Sequence, residues 1–251
     1  GKNNRDAEIS GLAARRAALR LLDAVLRMGT PMDQAATGIC HGLQPSDRAL
    51  TIAIVQEVLR HLPDLDRLID NCTRQNLPED AKARTVLRLA LAQILRLGTP
   101  PHAVIATALP LLAGGPRKLV HGILGNIIRS GATLPELPAL PDHVMLRWME
   151  AGGEEMTEGA RTALASPPPL DLNLRNPDQT AIWAERLEGV SLMPGHIRLS
   201  RGSAVEELPG FEDGDWWVQD LAAQIPARLL GPGQGRTVID LCAAPGGKSM
   251  Q

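Results

Sequence analysis

The amino-acid sequence predicts a multidomain chain, an all-α helical bundle followed by an α/β region. Three observations lead there. Up to residue 131, apolar residues recur at close to 3.6-residue spacing in segments opened by proline and often closed by glycine. Beyond the proline-spaced stretch TLPELPALP (133–141), short alternating runs of strand character interleave with helical ones. The charge also changes sign there: residues 1–133 hold 14 Arg and 3 Lys against 11 acidic residues, a net +6, while residues 134–251 carry a net −8. A basic helical half is the electrostatic footprint of a binder of polyanions such as nucleic acid, although arginine excess also marks a solvated face.

The first helix lies in RDAEISGLAARRAALRLLDAVLRMGTP, where Leu12, Leu19, Leu22, Val25 and Leu26 form one stripe and Gly29 and Pro31 end it. PSDRALTIAIVQEVLRHL follows, with Ser46 as its expected N-cap. PDLDRLIDNCTRQ, PEDAKARTVLRLALAQILRLGTP, PHAVIATALPLLAGG and PRKLVHGILGNIIRSG complete a bundle of six or seven helices ending near Gly131. Within it, residues 14–31 and 83–100 align without gaps at an offset of 69 and share Leu-Arg-x-Gly-Thr-Pro, which predicts two related sub-bundles. After the linker come a helix around DHVMLRWMEAGGEEMTEGARTALA, a strand in PPPLDLNLR, a helix in DQTAIWAERLEG, and strands in GHIRLS and DWWVQ. A helix in DLAAQIPARLLG, with Pro226 at a kink or its start, precedes a last strand in RTVIDL. The expected domains are 1–132, all-α; 133–141, linker; 142–218, a small α/β subdomain; and 219–251, the start of a further domain.

Composition narrows the function. Apolar residues make up 44% of the 251 residues but aromatics only 2%, with no Tyr and one Phe, so Leu, Ala, Ile and Val must fill the core. Cys40, Cys72 and Cys242 are odd in number and form no Cys-x-x-Cys pair, which argues against a disulfide scaffold and a zinc site and for a reducing cytoplasm. The histidines show no metal-ligand spacing, and no apolar run approaches the ~20 residues of a membrane helix. No metal and no membrane partner are therefore expected. Gly1 in place of Met implies residues upstream of this sequence.

The last 14 residues, VIDLCAAPGGKSMQ, run a β-branched segment into two glycines and a lysine and finish at Gln251. Such a loop lets the backbone approach a ligand, and a helix opening there presents free N–H groups to an anion. A phosphate-binding P-loop would need Gly where Cys242 stands, and Pro245 has no N–H to offer phosphate. The dinucleotide pattern Gly-x-Gly-x-x-Gly is absent. A glycine turn without a ligand stays open, but accounts neither for the strand nor for Asp240 at its end.

Asp240-Leu241-Cys242-Ala243-Ala244-Pro245-Gly246-Gly247-Lys248-Ser249 resembles the first S-adenosylmethionine motif of the RNA (cytosine-5) methyltransferases. Upstream, Pro209-Gly210-Phe211, Gly214 and Val218-Gln219-Asp220 with Ala222, Ala223 and Gln224 resemble the segment preceding that motif. ARRAALRLL, VLRLALAQIL, PPHAVIATAL and VHGILGNIIR resemble the NusB-like domain of the bacterial RsmB (Sun/Fmu) branch. The resemblance covers nearly the whole chain and implies a NusB-like RNA-binding bundle, an α/β subdomain and the start of a truncated Rossmann-like methyltransferase domain. Its implied cofactor is S-adenosyl-L-methionine, held by Asp240, Cys242, Ala243, Ala244, Pro245, Gly246, Gly247 and Lys248; its implied partner is small-subunit (16S) ribosomal RNA.

In that family a cysteine thiolate adds to cytosine C6, making C5 electron-rich enough to take the sulfonium methyl; a base removes the C5 proton and elimination frees the enzyme. The cysteine motifs for this lie downstream of the donor loop. The resemblance therefore places no catalytic residue within these 251, expects the nucleophile downstream of Gln251, expects the chain alone to be inactive, and makes Cys242 a buried neighbour of the donor. The resemblance makes Arg15 and Arg16 the expected RNA contacts, with Arg5, Arg20, Arg117, Lys118 and Arg129 as weaker ones. The order Asn173-Leu174-Arg175-Asn176 departs from the family's Arg-x-Asn. The rival is a non-catalytic NusB-like RNA-binding or transcription antitermination module, which would have no use for the donor loop.

Overall fold

The structure, a computed structural model, describes residues 11–73, 75–200, 205–231 and 235–251; Arg5 lies outside them. The chain divides into two compact units, before and after the junction of Ser166 and Pro167.

The first unit is helical: α1 (Leu12–Leu26), α2 (Met32–Ile39), α3 (Pro45–Arg60), α4 (Leu62–Asn71), α5 (Lys82–Leu95), α6 (Pro101–Ala108), α7 (Gly114–Ser130) and α8 (Asp142–Ala165). The short, alanine-containing α2 is absent from the sequence reading. Helix α3 starts at Pro45, whose ring pre-sets the first helical φ, with Gln44 before it and no side-chain cap, so Ser46 is inside the first turn and not the N-cap.

The internal echo is a structural repeat. Gly29 and Gly98 end their helices at φ 66° and 64°. Thr30 N–H donates to Ala24 O at 3.0 Å and Thr99 N–H to Gln93 O at 2.9 Å, and Pro31 and Pro100 then open the eight-residue helices α2 and α6. Helices α3 and α7 begin at the same spacing, Pro45 and Gly114. Each set packs alike, α1 on α2 and α3, α5 on α6 and α7.

Helix α5 is the axis of the core. Residues 83–93 are all buried, Leu87 and Leu91 among Leu21, Ile54, Leu124 and Ile127. A helix covered on every side should be apolar all round, yet Arg84 and Arg88 are among its buried residues. Acids from α4 explain this: Asp66 accepts from Arg84 Nη1 at 3.0 Å and from Arg88 Nε and Nη2, both at 2.8 Å, and Asp70 pairs with Arg84.

The proline-spaced stretch is strapped to the helices. Ala139 N–H donates to Asp64 Oδ2 at 2.8 Å, Arg161 Nε of α8 donates to Pro138 O at 3.1 Å, and Leu140 is buried. Helix α8, kinked at Gly153, consequently lies in the helical unit, whereas the sequence groups it with the α/β region. Proline spacing in sequence does not show that the segment's backbone polar groups find partners on either side of it.

The second unit contains β1 (Leu170–Leu174), α9 (Thr180–Arg186), β2 (His196–Leu199), β3 (Trp216–Val218) and α10 (Leu221–Leu229). Its three strands form an antiparallel sheet in the order β2-β1-β3, with Asn173 opposite His196 and Trp217. Alternation along β1 puts Leu172 and Leu174 against Trp183, Ile197, Leu199 and Trp216. Asp171 and Asn173 take the opposite face, which is also buried. Pro226 lies inside α10.

Asp171 is the knot of that face. It accepts from Arg198 Nε at 2.7 Å and Nη2 at 2.8 Å and from Leu221 N–H at 3.0 Å, with His196 Nε2 at 3.3 Å. The Arg198 hydrogen bonds hold its carboxyl below the ordinary carboxylate value. A depressed folded-state pKa means that the unfolded chain binds the proton more readily, so this stabilisation is complete above the unfolded value near 3.8 and lost as pH falls through the folded one. Acid unfolding followed by circular dichroism should therefore show a loss of stability below about pH 3.8 that Asp171→Asn flattens.

RTVIDL is not a strand: residues 236–240 carry no strand pairing, and Val238, Ile239 and Leu241 are exposed. A buried parallel strand needs neighbours to take its backbone hydrogen bonds and helices to cover its side chains. Among the described residues nothing plays either role for this segment.

Candidate functional site

The glycine loop is shaped by Asp240. Its Oδ1 accepts from Cys242 N–H at 3.0 Å and its Oδ2 from Ser249 Oγ at 2.6 Å. The Ser249 hydroxyl, then the Cys242 amide, holds the exposed Asp240 carboxyl below its ordinary value. Met250 N–H donates to Gly246 O at 3.0 Å, closing a single α-turn over Gly247-Lys248-Ser249. Gln251 follows as an exposed residue whose N–H donates to Lys248 O at 3.3 Å; it extends the turn by one bond and brings no chemistry of its own to the loop. Gly246 has φ 109°, where residues with a side chain are strained, and a Cβ there would meet nothing within 4 Å. The demand for glycine at 246 is conformational.

Gly247 lies near the sheet. A Cβ on it would lie 3.5 Å from Gln219 Cδ and 3.7 Å from Trp217 Nε1. Gln219 is buried and its amide is held on both sides: Oε1 accepts from Asn173 Nδ2 at 2.9 Å and from Trp217 Nε1 at 2.8 Å, and Nε2 donates to Ala223 O at 3.2 Å. Asn173 is held in turn by Arg228 Nη2 at 3.2 Å. The alternation in LDLNL puts Asp171 and Asn173 on one face; their joining to Gln219 and Trp217 depends on strand order, and sequence reasoning misses it.

The residues present fit a zwitterionic amino-acid tail of the kind S-adenosylmethionine carries. Gly246 and Gly247 expose backbone without side chains, Lys248 supplies a cation, and Asp240 keeps lone pairs for an ammonium beyond the two bonds it accepts. Ala243, Ala244, Pro245 and Lys248 are exposed. Cys242 is exposed as well, which corrects the expectation of a buried neighbour; with RTVIDL unpaired, nothing draws it inside.

The expected RNA contacts separate by exposure. Arg15 is buried on α1, its Nε donating to Gln93 Oε1 at 2.8 Å and its Nη1 to Gly11 O at 3.1 Å. Burial, partly offset by Asp47, pulls its guanidinium below the ordinary arginine value. Its hydrogen bonds tie α1 to α5, because the helical stripe that faces the core includes position 15. Arg16 and Arg20, one turn apart on α1, are exposed, as are Arg117 and Lys118 in the first turns of α7 and Arg129 in its last. Among the described residues no helix is long and apolar enough to cross a membrane, and no three His, Cys, Asp or Glu side chains assemble as a metal site.

Residues 12–129 match the NusB family, so the helical unit carries a NusB domain. Over most of its length the chain is also homologous to ribosomal RNA small subunit methyltransferase B. It is 31% identical to that protein of Xanthomonas campestris pv. campestris, covering 96% of this chain and 58% of the relative, and 32% identical to that of Xylella fastidiosa (strain Temecula1), covering 95% and 59%. A probable ribosomal RNA small subunit methyltransferase B of Synechocystis is 30% identical over 83% of this chain and 53% of its own. The chain thus spans between half and three-fifths of the length of these relatives. The crystal structure of PH0851 shares the fold, with a TM-score of 0.59 at 17% identity, covering 96% of this chain and 59% of that one.

Proposed function

We propose that the protein methylates C5 of a cytosine in small-subunit ribosomal RNA, with S-adenosyl-L-methionine as donor. The observation that carries this reading is the loop Asp240–Lys248 on the same chain as a NusB domain. A purely RNA-binding module has no use for a glycine turn of this kind, whereas a methyltransferase uses one to bring its backbone close to the donor. The homologues' names support methylation of small-subunit ribosomal RNA. When bound, S-adenosylmethionine supplies a methyl group on a sulfonium sulfur. Gly246, Gly247 and Lys248 hold its methionine carboxylate, Asp240 orients its ammonium, and the exposed Arg16, Arg20, Arg117 and Lys118 hold the RNA backbone. The region from residue 219 onward is the opening of a Rossmann-like domain, and the nucleophilic cysteine is supplied from beyond Gln251. The chain by itself binds without turnover.

The test is transfer of a labelled methyl group by the intact protein to small-subunit ribosomal RNA lacking the modification, with the labelled base identified as 5-methylcytosine. Label on another base, or none, overturns the reading. RNA binding carries its own expectation: if about four to six phosphates of a single strand are neutralised, log affinity falls with log salt at a slope of roughly −3 to −4, at ~0.7 per contact. A titration series from low to high salt measures it, and an affinity that does not change with salt rejects the role of the arginines.

A further inference from the structure

We propose that Gln219 is the positioning residue that seats the donor loop, with Asn173 and Trp217 holding its amide; this rests on the donor reading of that loop. The bonds made by Asp240 are internal to the loop and set its shape. They do not set its place. Its inner surface comes near the sheet at Gly247, whose Cβ position lies 3.5 Å from Gln219 Cδ and 3.7 Å from Trp217 Nε1.

The seat is rigid for a chemical reason. An amide with a free rotor would be a soft support, but both ends of this one are engaged: Oε1 takes two hydrogen bonds, from β1 and β3, and Nε2 gives one to the backbone of α10. The Gln219 backbone is pinned too, its N–H donating to Asp171 O at 3.0 Å and its carbonyl accepting from Gln224 Nε2 at 2.9 Å. Gln224 is fully buried. Groups from β1, β3 and α10 thus fix one amide plane under one glycine. An exposed loop gains most from such a support, because seating it beforehand lowers the ordering cost of binding.

Calorimetry of the intact protein with S-adenosyl-L-homocysteine tests this, using Gln219→Met, Trp217→Phe and, as a control in the same sheet, Asp171→Asn. Gln219→Met keeps the volume but removes every bond of the amide, and about tenfold weaker binding is expected; Trp217→Phe keeps a ring and removes one N–H, for about three- to fivefold. Asp171→Asn loosens the sheet without touching the Gln219 side chain and should leave the dissociation constant within about twofold. RNA affinity should be the same in all four proteins. Should Gln219→Met fail to fold, the comparison of Trp217→Phe with Asp171→Asn decides alone. Unchanged affinity in Trp217→Phe, or equal weakening in Asp171→Asn, overturns the positioning role while the donor reading stands. Absence of binding by the wild type overturns both.

Discussion

Asp66→Ala should lower the stability of the helical unit by about 3 kcal/mol, because it leaves Arg88 buried without a carboxylate. Arg88 donates twice to Asp66, and its remaining contact is Glu79 O at 3.3 Å. Losing one partner of a buried pair typically costs ~3–5 kcal/mol, and the lower end applies because Asp66 is 25% exposed and water can enter at its side. Asp70→Ala should cost less, since Arg84 keeps Asp66 and two bonds to Leu77 O. Urea unfolding followed by circular dichroism distinguishes the two. Replacing Asp66 and Arg88 together by apolar residues of similar volume should restore much of the loss, because the uncompensated charge is then gone. Equal effects of Asp66→Ala and Asp70→Ala would contradict this account.

Gly246→Val is expected to weaken S-adenosyl-L-homocysteine binding by about ten- to a hundredfold while leaving folding and RNA affinity unchanged, since forcing a β-branched residue to positive φ costs ~1–3 kcal/mol. At φ 109° a valine must either carry that strain or move the turn. Space is not the obstacle, as nothing lies within 4 Å of its Cβ position. Gly247→Ala is the contrast. Gly247 is not among the residues with positive φ, and a methyl group there would make ordinary contacts at 3.5 Å and beyond with Gln219 and Trp217, so alanine should be tolerated. Calorimetry on the two variants reads the difference directly, and a tolerant Gly246→Val would contradict a donor site that depends on this turn.

Much of the fold is legible along the chain because its signals are local. The repeated Leu-Arg-x-Gly-Thr-Pro announces two helix ends of the same geometry, and the turns at Gly29 and Gly98 have it. The same holds for β1, β2 and β3, which the alternating runs locate. The misreadings share one cause. Ser46 and RTVIDL both satisfy a local rule, yet each is decided by what stands next to it in space: a proline already opening the helix and a missing strand neighbour.

The donor loop shows the same division. Its glycines, lysine and Asp240 are recognisable in order, because a turn of ten residues carries its own pattern. That Asp240 closes the loop on itself is settled within ten residues, whereas that Gly247 lies near an amide held by Asn173 and Trp217 follows from strand pairing across distant positions. By itself, then, the order of residues determined the longer helices, the repeat, the strands of the small sheet and the pattern of the glycine turn, since each depends on neighbours a few positions away. Only the tertiary structure decided which arginines are buried, where the helical unit ends and what supports the loop, because burial and hydrogen-bond partnership belong to pairs of residues far apart in the chain.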